Sequence, residues 1–133
     1  MDFNIEIEFV KKHIRKDFQD RLIFELQSKK HRGKAISRFS HFSEKILSNS
    51  FKRCNMSQVQ SLLEKNLTKE SCYIISDDEN DGKTLFLQDA VNVCKDSYFT
   101  MILISKNFVL VKEEFEKAPA FHLSLVDNGD VHF

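Results

Sequence analysis

Residues that break chains are scarce in this sequence. Its 133 residues include three Gly, one Pro and no Trp, which disfavours long disordered linkers and glycine-rich phosphate loops. Cys54, Cys72 and Cys94 are odd in number and far apart, so they read as reduced, buried thiols and not as a disulfide framework or a zinc knuckle. No apolar run approaches the ~20 residues that a membrane span needs, and Met1-Asp2-Phe3-Asn4 lacks the basic-then-apolar layout of a secretory signal. A cytoplasmic protein without membrane association is the expectation. Walker loop, dinucleotide fingerprint, nucleophile elbow and His-x-x-x-His pair are all missing, so no cofactor, metal or enzymatic activity is expected.

Phe, by contrast, is abundant: 13 residues against two Tyr. A Phe ring has no polar handle, so most of these rings should fill a core. The length suits one domain, 1–133, burying around two thirds of its unfolded surface. Its formal charge of zero conceals two unequal halves. Residues 1–53 carry 13 Lys or Arg against 7 Asp or Glu, a surplus of +6, and residues 54–133 carry 7 against 13, or −6. Such polarity governs association and steering more than it governs fold.

Hydrophobic spacing divides the chain into a helical layer, 1–68, and a sheet layer, 69–133. Ile7, Val10, Ile14, Phe18, Leu22 and Leu26 recur at three or four and predict one amphipathic helix over about 5–27. A basic connection, 28–34, leads to a second helix carrying Ile36, Phe39, Ile46 and Leu47. Ser57 and Gln60 have the form of a capping box before Val59, Leu62, Leu63 and Leu67, a third helix. Cys72-Tyr73-Ile74-Ile75-Ser76 reads as a strand closed by the turn pair Asp81-Gly82.

A helix over about 85–95 carries Leu87, Ala90, Val91 and Cys94. A strand over 99–105 follows, apolar at every position from Met101 to Ile104 and therefore expected to be covered on both faces. If these two strands are neighbours, a parallel pair with a helical crossover is expected. Lys106-Asn107 predicts a hairpin into Phe108-Val109-Leu110-Val111. Phe121, Leu123 and Leu125 alternate with His122, Ser124 and Val126 in a half-buried strand after Pro119, and Asn128-Gly129 turns toward Val131-His132-Phe133. The fold class is α+β: N-terminal helices packed on a mostly antiparallel sheet of about four strands with one inserted helix.

Several clusters invite a chemical reading. Asp77-Asp78-Glu79-Asn80-Asp81-Gly82 superficially matches a calcium loop, but its twelfth position is Gln88 where a bidentate carboxylate is needed. It reads better as an acidic contact loop. Lys29, Lys30, His31, Arg32, Lys34 and Arg38 form the densest basic cluster and could meet nucleic acid phosphates, although no aromatic interleaves them. His13 and Asp17, four apart, could share a hydrogen bond in a small His-dependent enzyme. Glu113, Glu114 and Glu116 extend the acidity of the sheet half. Two acidic segments at one edge of a sheet would suit a basic partner, while the plain alternative is a set of edge-strand charges that resist aggregation.

The segment Asp81-Gly82-Lys83-Thr84-Leu85-Phe86-Leu87-Gln88-Asp89-Ala90 and the strands over 99–111 resemble the small α+β immunity proteins of bacterial toxin and immunity pairs, including those that block nuclease toxins. The resemblance implies a non-enzymatic inhibitor that binds a cognate, basic toxin domain in the cytoplasm. Asp77, Asp78, Glu79, Asp81, Glu113, Glu114 and Glu116, with Tyr73 and Tyr98 as aromatic anchors, are the candidate partner contacts. A nucleic-acid-binding or regulatory module using the basic half is the competing class.

Overall fold

A computed structural model describes residues 1–41, 43–65, 70–114 and 121–125, apart from the side chains of 62–65. Pro119, Asn128-Gly129 and 131–133 lie outside this set. The long first helix is two helices, α1 (Phe3–His13) and α2 (Lys16–Gln27). Asp2 caps α1, its Oδ1 accepting the N–H groups of Asn4 and Ile5 at 3.1 and 3.2 Å. A straight helix over the whole predicted span would be about 35 Å long. The chain instead breaks at Ile14 and Arg15, where the backbone finds other partners. Ser48 N–H donates to the His13 carbonyl and Arg15 N–H to that of Ile46, each at 2.8 Å. Arg15 Nε donates to the Leu47 carbonyl at 2.9 Å. The apolar stripe survives the break, since α1 and α2 fold against each other and bury Phe9, Val10, Leu22 and Leu26 in one cluster.

Two helices, α3 (Arg32–His41) and α4 (Ser43–Ile46), replace the single second helix, so Arg32 begins a helix where a loop was expected. The third helical segment, α5 (Met56–Lys65), starts one turn-fraction earlier than its expected cap. Its capping box is Asn55 with Gln58: Gln58 N–H donates to Asn55 Oδ1 and Asn55 N–H to Gln58 Oε1, both at 2.9 Å. That reciprocal pair satisfies two of the donors a helix start leaves orphaned.

Among the described residues the sheet has six strands instead of about four, in the order β1-β6-β5-β4-β2-β3. These are β1 (Lys52–Cys54), β2 (Ser71–Ser76), β3 (Thr84–Phe86), β4 (Met101–Ile104), β5 (Phe108–Lys112) and β6 (Phe121–Leu125), with α6 (Leu87–Asp96) between β3 and β4. All neighbours are antiparallel. The expected parallel pairing of β2 with β4 is therefore wrong. The start of the span expected to be helical is a short strand, β3, which reverses the chain beside β2 before α6 carries it over. The parallel members of the crossover are β3 and β4, with β2 lying antiparallel between them.

Alternation sends successive side chains to opposite faces. Cys72, Ile74, Met101, Leu103, Phe108, Leu110, Phe121 and Leu123 pack with Val59 of α5 and with Leu87, Ala90, Val91 and Cys94 of α6. Tyr73, Ile75, Ile102, Val109 and Val111 pack with the buried faces of α1 to α4. The sheet is thus the middle of three layers, and β4 is covered on both faces as its composition implies. The 1–68 segment is not one layer. Its last helix, α5, sits on the far face, and β1 is a sheet edge. His122 and Ser124 are buried too, so β6 is not half-exposed.

Candidate functional site

Ser76 at the end of β2, Met101 at the start of β4 and Lys112 at the end of β5 lie side by side in the sheet register. Both acidic segments therefore leave the sheet at the same end. The stretch before β4 emerges between them and exposes two aromatic rings, Tyr98 (51% exposed) and Phe99 (43%), in edge-to-face contact at 5.9 Å. Asp77, Phe99 and Glu114 share the wall of one small depression with Ser37, Ser40 and Thr100. Asp96, exposed at the end of α6, borders the same stretch.

What fixes the aromatic pair is a buried cation. Lys112, 1% exposed, donates from Nζ to the carbonyls of Ser97 and Phe99 at 2.5 and 2.6 Å. Burial lowers the pKa of its ammonium. Ser97 Oγ donates to Asp78 Oδ2 at 3.4 Å. Lys112 stands out in the sequence as the one charged residue closing an apolar strand. The doublet Tyr98-Phe99 is equally legible, because two adjacent rings before a strand cannot both face one core.

The expected contact residues divide by what holds them. Asp77, Glu79 and Glu114 are exposed and free to meet a partner, as is Tyr98. Asp78 is turned inward, its Oδ1 accepting Ser76 Oγ at 2.7 Å and Asn80 N–H at 2.9 Å. Burial alone would raise its pKa, but these hydrogen bonds outweigh that and lower it. Glu113 is half-buried between His122 Nε2 at 3.0 Å and Ser43 Oγ at 2.8 Å. Its pKa is likewise lowered, the two partners overcoming burial. Glu116 lies outside the described residues. Because β5 is an interior strand, Glu113 and Glu114 do not guard an edge. Short strands bearing Lys52, Arg53 and Thr84 do that.

Tyr73 and Asp81 belong to a buried network and are not surface contacts. Arg32 uses all five of its N–H donors. Nε donates to Asp81 Oδ2 at 2.7 Å, and Nη2 to Asp81 Oδ1 at 2.9 Å and Glu6 Oε2 at 2.7 Å. Nη1 donates to Glu6 Oε1 at 2.6 Å and to the Leu26 carbonyl at 2.9 Å. Tyr73 Oη donates to Glu6 Oε2 at 2.6 Å and accepts Asp2 N–H at 2.9 Å. Burial, aided by Glu6, pushes the phenol up to about 12. Burial works against the Arg32 charge, yet the bonds to Asp81 and Glu6 raise its pKa. Asp81 Oδ1 also accepts Ser76 N–H at 3.0 Å. The acidic loop is thereby tied to α1 and α3.

The basic cluster is reduced accordingly. Arg32 is consumed, and Arg38 is bound through Nε and Nη2 to Glu25 at 2.9 and 3.0 Å. Lys29, Lys30 and Lys34 remain exposed. The expected His13–Asp17 pair is not on one helix, because α1 ends at His13. Burial lowers the His13 pKa, and among the described residues its Nδ1 has no hydrogen-bond partner. All three cysteines are free and buried, with thiols pushed up by burial to about 11 for Cys54 and about 12 for Cys72 and Cys94. Among the described residues no group of three or more His, Cys, Asp or Glu is placed to hold a metal, and no helix is long and apolar enough to cross a membrane. Compared with known proteins, the chain matches no family model, no curated protein and no solved structure.

Proposed function

We propose that this chain is a non-enzymatic, protein-binding inhibitor of the immunity type. It docks a basic partner, a toxin domain such as a nuclease, against the acidic end of its sheet. The observation that carries the reading is that Asp77 and Glu114 share one depression with Phe99, beside the exposed Tyr98–Phe99 pair that follows Asp96 in the chain. Exposed carboxylates steer a basic surface and imitate the phosphates a nuclease expects, while a rigid aromatic pair supplies the desolvated anchor that charges alone do not. Support also comes from the grip of Lys112 on this stretch, since a preorganised anchor loses less entropy on binding.

The test is co-expression with the product of the adjacent reading frame, followed by affinity measurements on purified proteins. Asp77→Lys with Glu114→Lys, both at exposed positions, should weaken the complex by at least tenfold, roughly the worth of two steering charge pairs reversed. Tyr98→Ala should raise the dissociation rate. Unchanged affinity in both would remove this surface from the proposal. Asp81 is unsuitable for such a test because its loss would disturb the Arg32 network. In the competing reading the basic half binds nucleic acid. A gel shift that falls steeply with salt and survives the Asp77 and Glu114 changes would favour it.

A further inference from the structure

At the opposite end of the sheet from the acidic surface, a cavity of about 450 Å³ opens between α1 and the strands. Its floor is a row of four residues directly paired across β3, β2, β4 and β5: Thr84, Tyr73, Ile104 and Val109. Its wall is one stripe of α1, comprising Ile5, Glu8, Phe9, Lys12 and His13, spaced as a single helix face.

Burial orders these residues by depth. Phe9, His13, Tyr73 and Val109 are buried, Ile5 and Ile104 half-buried, and Glu8, Lys12, Lys106, Ser71 and Thr84 exposed. The bottom thus pairs the apolar Phe9 and Val109 with the rings of His13 and Tyr73, and the mouth is polar. Two ammonium groups stand at that mouth against one carboxylate. Lys12 pairs with Glu8 at 2.6 Å, and Lys106, at the tip of the β4–β5 hairpin, finds no ion-pair partner among the described residues. The surplus is one positive charge.

We infer that this cavity is a binding site for a small amphipathic monocarboxylate, with its apolar body on Phe9, Ile104 and Val109 and its carboxylate at the Lys12 and Lys106 mouth. The volume lies within the ordinary range of small-molecule pockets, and the lining has their usual character: mostly apolar with a few polar groups that set orientation. Phe9, Ile104 and Val109 offer ordered water no partners, whereas an aliphatic chain gains from leaving water against them. A single ligand charge balances the mouth. A dianion would not.

The probe is octanoate, titrated into the full chain by calorimetry and by amide chemical shifts, with octanol as the uncharged counterpart. Saturable one-to-one binding is expected, with shifts confined to α1, the start of β2, β3 and the β4–β5 hairpin. Lys12→Gln with Lys106→Gln should weaken octanoate by about tenfold, as loss of two exposed charge contacts allows, while leaving octanol unchanged. Thr84→Trp should close the mouth and abolish both. If that variant does not fold by circular dichroism, Ser71→Trp blocks the same opening from β2. Failure of octanoate to saturate, shifts outside these elements, or equal loss of octanol and octanoate in the lysine variant would each overturn the inference.

Discussion

Replacing Arg32 by Met removes one side chain from between two acidic ones, and the cost can be worked from its contacts. Glu6 is 1% exposed, and the guanidinium supplies two of its three side-chain hydrogen bonds, the third coming from Tyr73. Without Arg32 the Glu6 carboxylate is a buried charge with no cation, a change that costs about 3–5 kcal/mol when one partner of a buried pair is deleted. Asp81 loses the same cation but is nearer to water, and its bond from Ser76 N–H remains, so it adds less.

For a domain of this length each kcal/mol is worth roughly 3–5 °C, and the melting temperature should fall by about 10–20 °C. With no Trp in the chain, urea and thermal unfolding are best followed by far-ultraviolet circular dichroism. A second variant makes the reasoning specific. Glu6→Leu with Arg32→Met removes both buried charges, and it should recover most of the loss, because an apolar pair of similar volume often equals a buried ion pair. A loss below about 1 kcal/mol for Arg32→Met alone would refute the assignment of this network as a clamp on the acidic loop.

Lys112→Met should leave the carbonyls of Ser97 and Phe99 without their donor and destabilise the fold by roughly 1–3 kcal/mol in urea titrations. It should also speed amide exchange at 97–99, and a variant as protected there as the parent would show that the cation does not hold the aromatic pair. His13 gives a pH signature. Its folded pKa lies below the ordinary 6.5 because burial disfavours the charged ring, so as pH falls the unfolded chain takes up its proton first. The stability tied to neutral His13 is complete above about 6.5 and is lost as pH falls through the folded pKa. His13→Phe, packed between Phe9 and Phe51, should therefore lose less stability than the parent between pH 7.5 and 5.5, and parallel pH curves would contradict this.

The pattern of apolar residues identified most of the elements, and the misses share a cause. Met101 to Ile104 could be read as an interior strand because no polar position interrupts it. By contrast, Ile14 carries no local signal for a helix end, since its backbone leaves the helix to meet Leu47, 33 residues on. Ser57 with Gln60 and Asn55 with Gln58 both satisfy the capping pattern, and spacing alone does not choose between them. β1 and β3 are three residues each, too short for any period to show. They exist because β6 and β2 offer them a ladder.

The acidic end was visible as two clusters of carboxylates. Which of them face solvent was not, because that is decided by distant partners: Arg32 for Asp81, His122 and Ser43 for Glu113. Tyr73 looked like an anchor for the same reason, its partner Glu6 lying 67 residues away. Lys112 and the Tyr98-Phe99 doublet each carry a local signal, but the link between them, Lys112 Nζ to the Phe99 carbonyl, joins residues 13 apart that meet only when β5 pairs with β4.

Hydrogen exchange of the chain, alone and bound to the adjacent gene's product, tests the docking surface most directly. The expected footprint is slowed exchange over 77–80, 96–100 and 113–114, with little change on the exposed faces of α1 and α2. A footprint on those helices, with the Tyr98–Phe99 stretch exchanging as fast bound as free, would contradict it.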